Sequence, residues 1–280
     1  MNNNLLIKGN GICLRELQED DIPRINEIVR VCAARSTWIL YKVYKNESLI
    51  KHTLLDMNKR GNVNNDGLFG KLLKDFNIFD NMMSKKNYNL EEILRFYPDD
   101  HLFFSYGPIQ SSFEESINEF INVAIDTRIE KKRRLFRLGI EIETKEGKVL
   151  IGCFTFDYNK HKTQGYQHET TGDPGIFIHP DYRKASDKRT WCETFILFTE
   201  FLKIDYPYKN DNIQISATTH RLNEETSNIL SKKYGFEEFK AYVSHENFGE
   251  RRFFTISYND FIKVFSSKDN NEIKIIKGNQ

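Results

Sequence analysis

The sequence predicts a single α/β (α+β) domain built around a mixed sheet. Three observations lead to that class. Stretches with an apolar period of two alternate along the chain with stretches of helical period. Helix caps and glycine-bearing turns fall between them. Hydrophobic residues make up 39% of the 280 positions, with 22 Phe and 13 Tyr, which is enough apolar material for one large core.

The first element is "GICLREL" (Gly11–Leu17), whose alternation is that of a half-buried strand. A helix follows in "QEDDIPRINEIVRVCAARS". Asp20 or Asp21 can cap it, Pro23 suits its first turn, and Ile22, Ile25, Val29 and Cys32 share a face. From Asn46 to Pro108 the composition shifts to Asn- and Gly-rich stretches with short apolar clusters, which reads as a helical and loop region (46–108) inserted into the domain. Ser112 and Glu115 then open an amphipathic helix with capping-box spacing. The basic run Lys131–Arg134 at its end complements the helix dipole.

"LFRLGIEIETKEGKVLIGCFTFDY" reads as two strands around a turn at Glu146-Gly147. Asn159–Thr171 reads as polar loop and Gly175–Pro180 as a short apolar strand ended by proline. Thr190 and Glu193 repeat the capping-box spacing before the apolar helix "WCETFILFTEFLK". "NIQISATTH" is a strand, and "NEETSNILSKKYGF" a helix with Asn223 as N-cap and Gly235 as the left-handed residue at its end. "EEFKAYVS" and "RRFFTISY" close the domain as two strands.

Composition narrows the function classes. Lys plus Arg number 41 against 40 Asp plus Glu, a net charge of +1, so no global field directs the chain to nucleic acid or to a membrane. Cys13, Cys32, Cys153 and Cys192 lack CxxC spacing, which suggests neither a zinc knuckle nor a disulfide framework. "MNNNLLIKGNG" lacks the features of a signal peptide, and no run approaches the ~20 apolar residues of a membrane span, so a cytoplasmic protein is expected. His161, His168, His179 and His220 show no metal-ligand spacing, and no metal is expected. GxSxG and GxxxxGK[ST] are absent from the sequence.

Four segments, taken in order, resemble the GNAT superfamily of N-acetyltransferases, nearest its RimJ/RimL-like branch. "GICLRELQEDDIPRINEIV" resembles the opening strand and helix, "GKVLIGCFTF" the central hairpin, "GDPGIFIHPDYR" the strand entering the acetyl-CoA loop, and "HRLNEETSNILSKKYGF" the late helix. The resemblance leaves the insertion unexplained. It implies a mixed, mostly antiparallel sheet with a splayed middle and helices on both faces. Acetyl-CoA would be the co-substrate, its pantetheine arm along Ile176, Phe177 and Ile178 and its pyrophosphate on Arg183, Lys184, Ala185, Ser186, Asp187, Lys188, Arg189 and Thr190. Asn223 and Ser227 would complete the binding site.

The family's loop reads Gln or Arg, two residues, Gly, one residue, then Gly or Ala. Arg183 fits the first position, but Ser186 and Lys188 stand at the next two. A register anchored on Glu193 places Arg189 at a glycine position instead. Glycine permits close backbone approach to phosphate. Arg183, Lys184, Lys188 and Arg189 could hold phosphate by charge, or the loop could be an ordinary solvated one. The position of the family's frequent basic Glu is Asp173, which beside Gly172 and Pro174 reads equally as a turn residue. Glu141 and Glu143 are alternative bases. The position of the family's acidic Tyr is Ser231, with Tyr234 and Ser227 close by on the same helix. The resemblance implies acetyl transfer from acetyl-CoA to a primary amine of a small molecule or protein, by direct attack in a ternary complex, with a homodimer among the assemblies it allows. The rival reading is a non-catalytic binding module that keeps the fold and has lost the loop.

Overall fold

The alternation of Ile12, Leu14 and Glu16 is realised as strand β2 (Ile12–Glu16), whose buried side chains lie at every second position. The computed structural model describes residues 5–9, 11–29, 31–32, 80–81, 84, 103–104, 107–108, 135–183, 190–209, 211–220, 224–245, 249–266 and 273–277. Most of the 46–108 insertion, the Ser112 helix, the Lys131–Arg134 run, Lys184–Arg189 and Asn223 lie outside those residues.

Strand β1 (Leu6–Lys8) precedes β2, and helix α1 (residues 22–29 and 31–32) follows it through a 3-10 turn at Glu19–Asp21. Among the described residues two short strands, β3 (Phe103–Phe104) and β4 (Gly107–Pro108), pair only with each other. Then come β5 (Leu135–Thr144), β6 (Gly147–Lys162), β7 (Glu169–Ile178), helix α2 (Thr190–Asp205) and β8 (Gln214–His220). Helix α3 (Glu224–Asn228) continues as a π turn, Ile229–Lys233. Strands β9 (Glu237–His245) and β10 (Gly249–Ser257), helix α4 (Tyr258–Phe265) and β11 (Lys274–Ile276) complete the chain.

One nine-stranded sheet runs β11-β1-β2-β5-β6-β7-β8-β10-β9. Its ladders are antiparallel except for β7 with β8, so the sheet is mixed and mostly antiparallel. One face is aromatic. Phe136, Phe154 and Phe156 meet Phe198 of α2 at ring distances of 5.7, 4.7 and 5.0 Å. Phe261 and Phe265 of α4 pack against Phe195 at 6.3 and 5.0 Å. Each such ring, fully buried, contributes roughly 1.5–3 kcal/mol.

Helix α1 covers the other face. A β-carbon on Gly139 would meet Leu150 and Leu17, and Gly139 pairs with Cys153, whose side chain points away from that of Phe154. Arg24 Nε donates to the Leu150 carbonyl at 3.0 Å, and Cys32 Sγ to that of Ile178 at 3.2 Å. Ile25, Ile28 and Val29 are buried.

Three readings of the sequence need correction. Asn159–Lys162 and Glu169–Thr171 are strand and only residues 163–168 are loop, because β6 and β7 pair out to Lys162↔Glu169, and backbone ladders do not require apolar side chains. Thr190 is the first residue of α2, and its hydroxyl donates to the Tyr182 carbonyl, so it is not the cap of a capping box. The two C-terminal strands do not end the domain. Ser257 Oγ accepts from the Asp260 amide and starts α4, and β11 then pairs with β1.

Candidate active site

Strands β7 and β8 begin as an ordinary parallel pair, with Thr170↔Gln214, Thr171↔Ile215 and Gly172↔Ser216, and their pairing stops there. Gly172-Asp173-Pro174 is the cause. Between Thr155 and Asp157 of β6 the opposing strand advances from Gly175 to Gly172, so β7 carries an extra residue, a bulge. Gly172 has φ +104° and Asp173 φ +36°, and Pro174 has no N–H to donate. Beyond this point Pro174–Ile178 and Ala217–His220 share no ladder, so the middle of the sheet is splayed.

Backbone direction identifies what lines the gap. The Gly175 amide donates to Thr155 Oγ1 at 3.1 Å and the His179 amide to the Ile151 carbonyl at 2.8 Å, both toward β6. Backbone groups alternate edges along a strand. The amides of Ile176 and Ile178 therefore point toward β8, across the gap, while that of Phe177 faces β6.

At the end of β7 the chain makes a 3-10 turn, Pro180–Tyr182, in which the Asp181 amide donates to His179 Nδ1 at 3.3 Å. Arg183 Nε reaches back to the Ile178 carbonyl at 3.4 Å. The Thr190 amide donates to the Arg183 carbonyl at 3.2 Å and its hydroxyl to that of Tyr182. Arg183 and Thr190, the residues on either side of 184–189, thus stand bonded to each other at the N-terminus of α2, next to the end of β7. The cations Lys184, Lys188 and Arg189 lie outside the described residues, together with Ala185, Ser186 and Asp187.

The expected catalytic residues are dispersed. Asp173 is exposed at the mouth of the gap, and its Oδ1 accepts from the Thr218 amide at 2.8 Å and the Thr218 hydroxyl at 3.0 Å. Glu141 lies on β5, two strands from β7, and accepts from Arg15 Nε at 2.6 Å. Arg15 also holds Asp21 by two bonds of 2.6 and 2.7 Å, and these partners raise the basicity of its guanidinium. Ser231 Oγ donates to the Ser227 carbonyl at 2.9 Å, inside the π turn, and Ser227 is buried. Tyr234 belongs to the aromatic core. Its ring lies 5.2 Å from Trp191, near the start of α2, and 4.7 Å from Phe265.

Three residues not singled out from the sequence stand at this site. Thr218 and Arg251 meet Asp173: Arg251 Nε donates to Thr218 Oγ1 at 2.9 Å and Nη2 to the Thr218 carbonyl at 3.1 Å. Burial lowers the Arg251 pKa and the Asp173 carboxylate opposes that shift. Lys233 Nζ lies 5.6 Å from the Trp191 ring and 5.3 Å from that of Tyr234, a further cation beside the start of α2. Both findings depend on strand register and helix packing, which no local pattern signals. Among the described residues no group of three or more His, Cys, Asp or Glu could hold a metal ion. No described helix is long and apolar enough to cross a membrane.

No protein-family model and no curated protein matches the chain. Solved structures do. One is Mycobacterium smegmatis RimJ in complex with CoA-disulfide, at 10% identity over 92% of this chain and 87% of that one, with a TM-score of 0.44. A second is a GNAT-family acetyltransferase from Bacillus anthracis, at 13% identity, 91% and 99% coverage and a TM-score of 0.38. A third is RimL, a ribosomal alpha-N-protein acetyltransferase in complex with coenzyme A, at 8% identity, 91% and 99% coverage and a TM-score of 0.43. The chain is similar, at 8–13% identity, to GNAT-type acetyltransferases and to proteins solved with coenzyme A.

Proposed function

We propose that the chain is an acetyltransferase of the GNAT type, which transfers an acetyl group from acetyl-CoA to a primary amine by direct attack in a ternary complex. The observation that carries this reading is the splayed β7/β8 pair, with the Ile176 and Ile178 amides turned into the opening and Arg183 bonded to Thr190 at the start of α2 at the same end. The pantetheine arm, a chain of amides, would complete the open edge of β7 as an extra strand does. The pyrophosphate would lie at the start of α2, where free N–H groups and the helix dipole favour an anion. Arg183, Lys184, Lys188 and Arg189 would supply charge where the loop lacks glycine, with Lys233 beside them.

In the reaction the neutral amine nitrogen attacks the thioester carbon. The new C–N bond forms, negative charge gathers on the carbonyl oxygen, and an amide N–H of β7 stabilises it. The C–S bond then breaks, the amine loses a proton to water or a nearby base, and the CoA thiolate takes one up. Ser231 is a weak acid for that last step and is already bound to the Ser227 carbonyl, and Tyr234 lies in the aromatic core, which favours protonation by solvent. The glycine-free loop favours a second reading, a non-catalytic binding module that keeps the fold and has lost the CoA loop.

Calorimetric titration with acetyl-CoA and desulfo-CoA, followed by thiol release with a panel of polyamine, aminoglycoside and peptide N-terminal amines, separates these readings. Binding with thiol release supports the enzyme. Binding without release from any amine leaves the cofactor site and overturns the enzyme. No binding at high micromolar concentration overturns the enzyme and supports the module that has lost the loop.

A further inference from the structure

We infer that Asp173, Thr218 and Arg251 form a pin that sets the width of the β7/β8 gap, with Asp173 a positioning residue. The functional meaning of that width rests on the acetyl-CoA reading above; the pin itself rests on the geometry.

In a parallel ladder the Thr218 amide would donate to a backbone carbonyl of the neighbouring strand. Here it donates to the Asp173 carboxylate at 2.8 Å, immediately past the last ladder pair, Gly172↔Ser216. Replacing a carbonyl with a side-chain carboxylate puts the length of that side chain between the two backbones. The strands are held apart at a fixed spacing instead of merely failing to pair.

A second residue also holds Thr218. Arg251 comes from β10, the next strand in the sheet, and reaches both Thr218 Oγ1 and the Thr218 carbonyl. Since Arg251 Nε donates to the Thr218 hydroxyl, that hydroxyl is left to donate onward to Asp173, at 3.0 Å to Oδ1 and 3.2 Å to Oδ2. A cation, a hydroxyl and a carboxylate thus form one chain across three strands, with charge-assisted bonds at both ends. The backbone of Asp173 fits the same role. A φ of +36° is costly for most residues and tolerated by Asp and Asn, and it aims the side chain across the gap instead of up or down from the sheet.

Two substitutions separate a pin from a catalytic base. Asp173→Asn keeps an oxygen for the Thr218 amide and removes the basic carboxylate. Asp173→Gly relieves the positive φ and removes the oxygen. The first readout is hydrogen exchange of the Thr218 amide by NMR, which needs no ligand. Exchange should stay within about threefold of wild type in Asp173→Asn and rise about tenfold or more in Asp173→Gly, the worth of one hydrogen bond to a charged group. The second is the dissociation constant for desulfo-CoA, which should follow the same order while the thermal midpoints of both variants stay near wild type. Equal exchange in all three proteins overturns the pin. An Asp173→Asn variant whose CoA affinity is intact but whose rate no longer depends on pH overturns the assignment of Asp173 as a positioning residue, because that is the signature of a base. A wild-type protein that binds no CoA overturns the acetyl-CoA reading alone, and Thr218 exchange still decides the pin.

Discussion

Side chains at the end of β7 do more than their residue types announce. Asp173 beside Gly172 and Pro174 reads from the sequence as a turn residue, and the positive φ agrees. Its partner Thr218, 45 positions away, could not be read, because the contact needs the β7/β8 register and the bulge. His179 is comparable. It follows β7 and is buried, and burial lowers its pKa below the ordinary 6.5, with Arg24 and Arg183 adding to the shift and Asp181 and Glu27 opposing it. A histidine held neutral in the fold binds fewer protons than it does unfolded. Its contribution to stability is therefore complete above pH 6.5 and is lost as pH falls from there through the lower folded value. Urea unfolding between pH 5 and 7.5 should show stability falling with acid, and His179→Gln should flatten that slope. An unchanged slope would remove His179 as its source.

Elements with strong periodicity were legible, and those made by pairing alone were not. β2, the β5–β6 hairpin, α2 and β8 follow from alternation or helical apolar spacing. The outer ends of β6 and β7 are polar and are specified by pairing, with each other and, for β7, with β8, so a polar loop is the natural reading of Asn159–Thr171. α4 had a local signal in Ser257, Phe261 and Phe265, a cap and an i,i+4 apolar pair. β11 had none that a three-residue strand could carry. α3 ends as its sequence implies. Gly235 has φ +71°, and the Phe236 amide donates to the Leu230 carbonyl at 3.0 Å, across a span widened by the π turn. A β-carbon on Gly235 would meet nothing nearby, so Gly235→Ala should cost about 1 kcal/mol through backbone conformation alone. Denaturant midpoints measure it, and a cost near zero would mean that the helix end readjusts freely.

Across the whole molecule one feature organises the rest. An aromatic layer fastens α2 and α4 to one face of the sheet, α1 covers the other, and between them the sheet opens at a single parallel pair. The rigid layer brings the end of β7, the start of α2 and the π turn of α3 to one end of that opening. The central claim is that this opening receives the pantetheine arm of CoA. Amide chemical-shift mapping on adding desulfo-CoA tests it most directly. The largest changes should fall at Ile176, Ile178 and Thr190, with the β2 and β5 amides unmoved. Saturable shifts confined to another part of the sheet, with Ile176 and Ile178 unchanged, would contradict it.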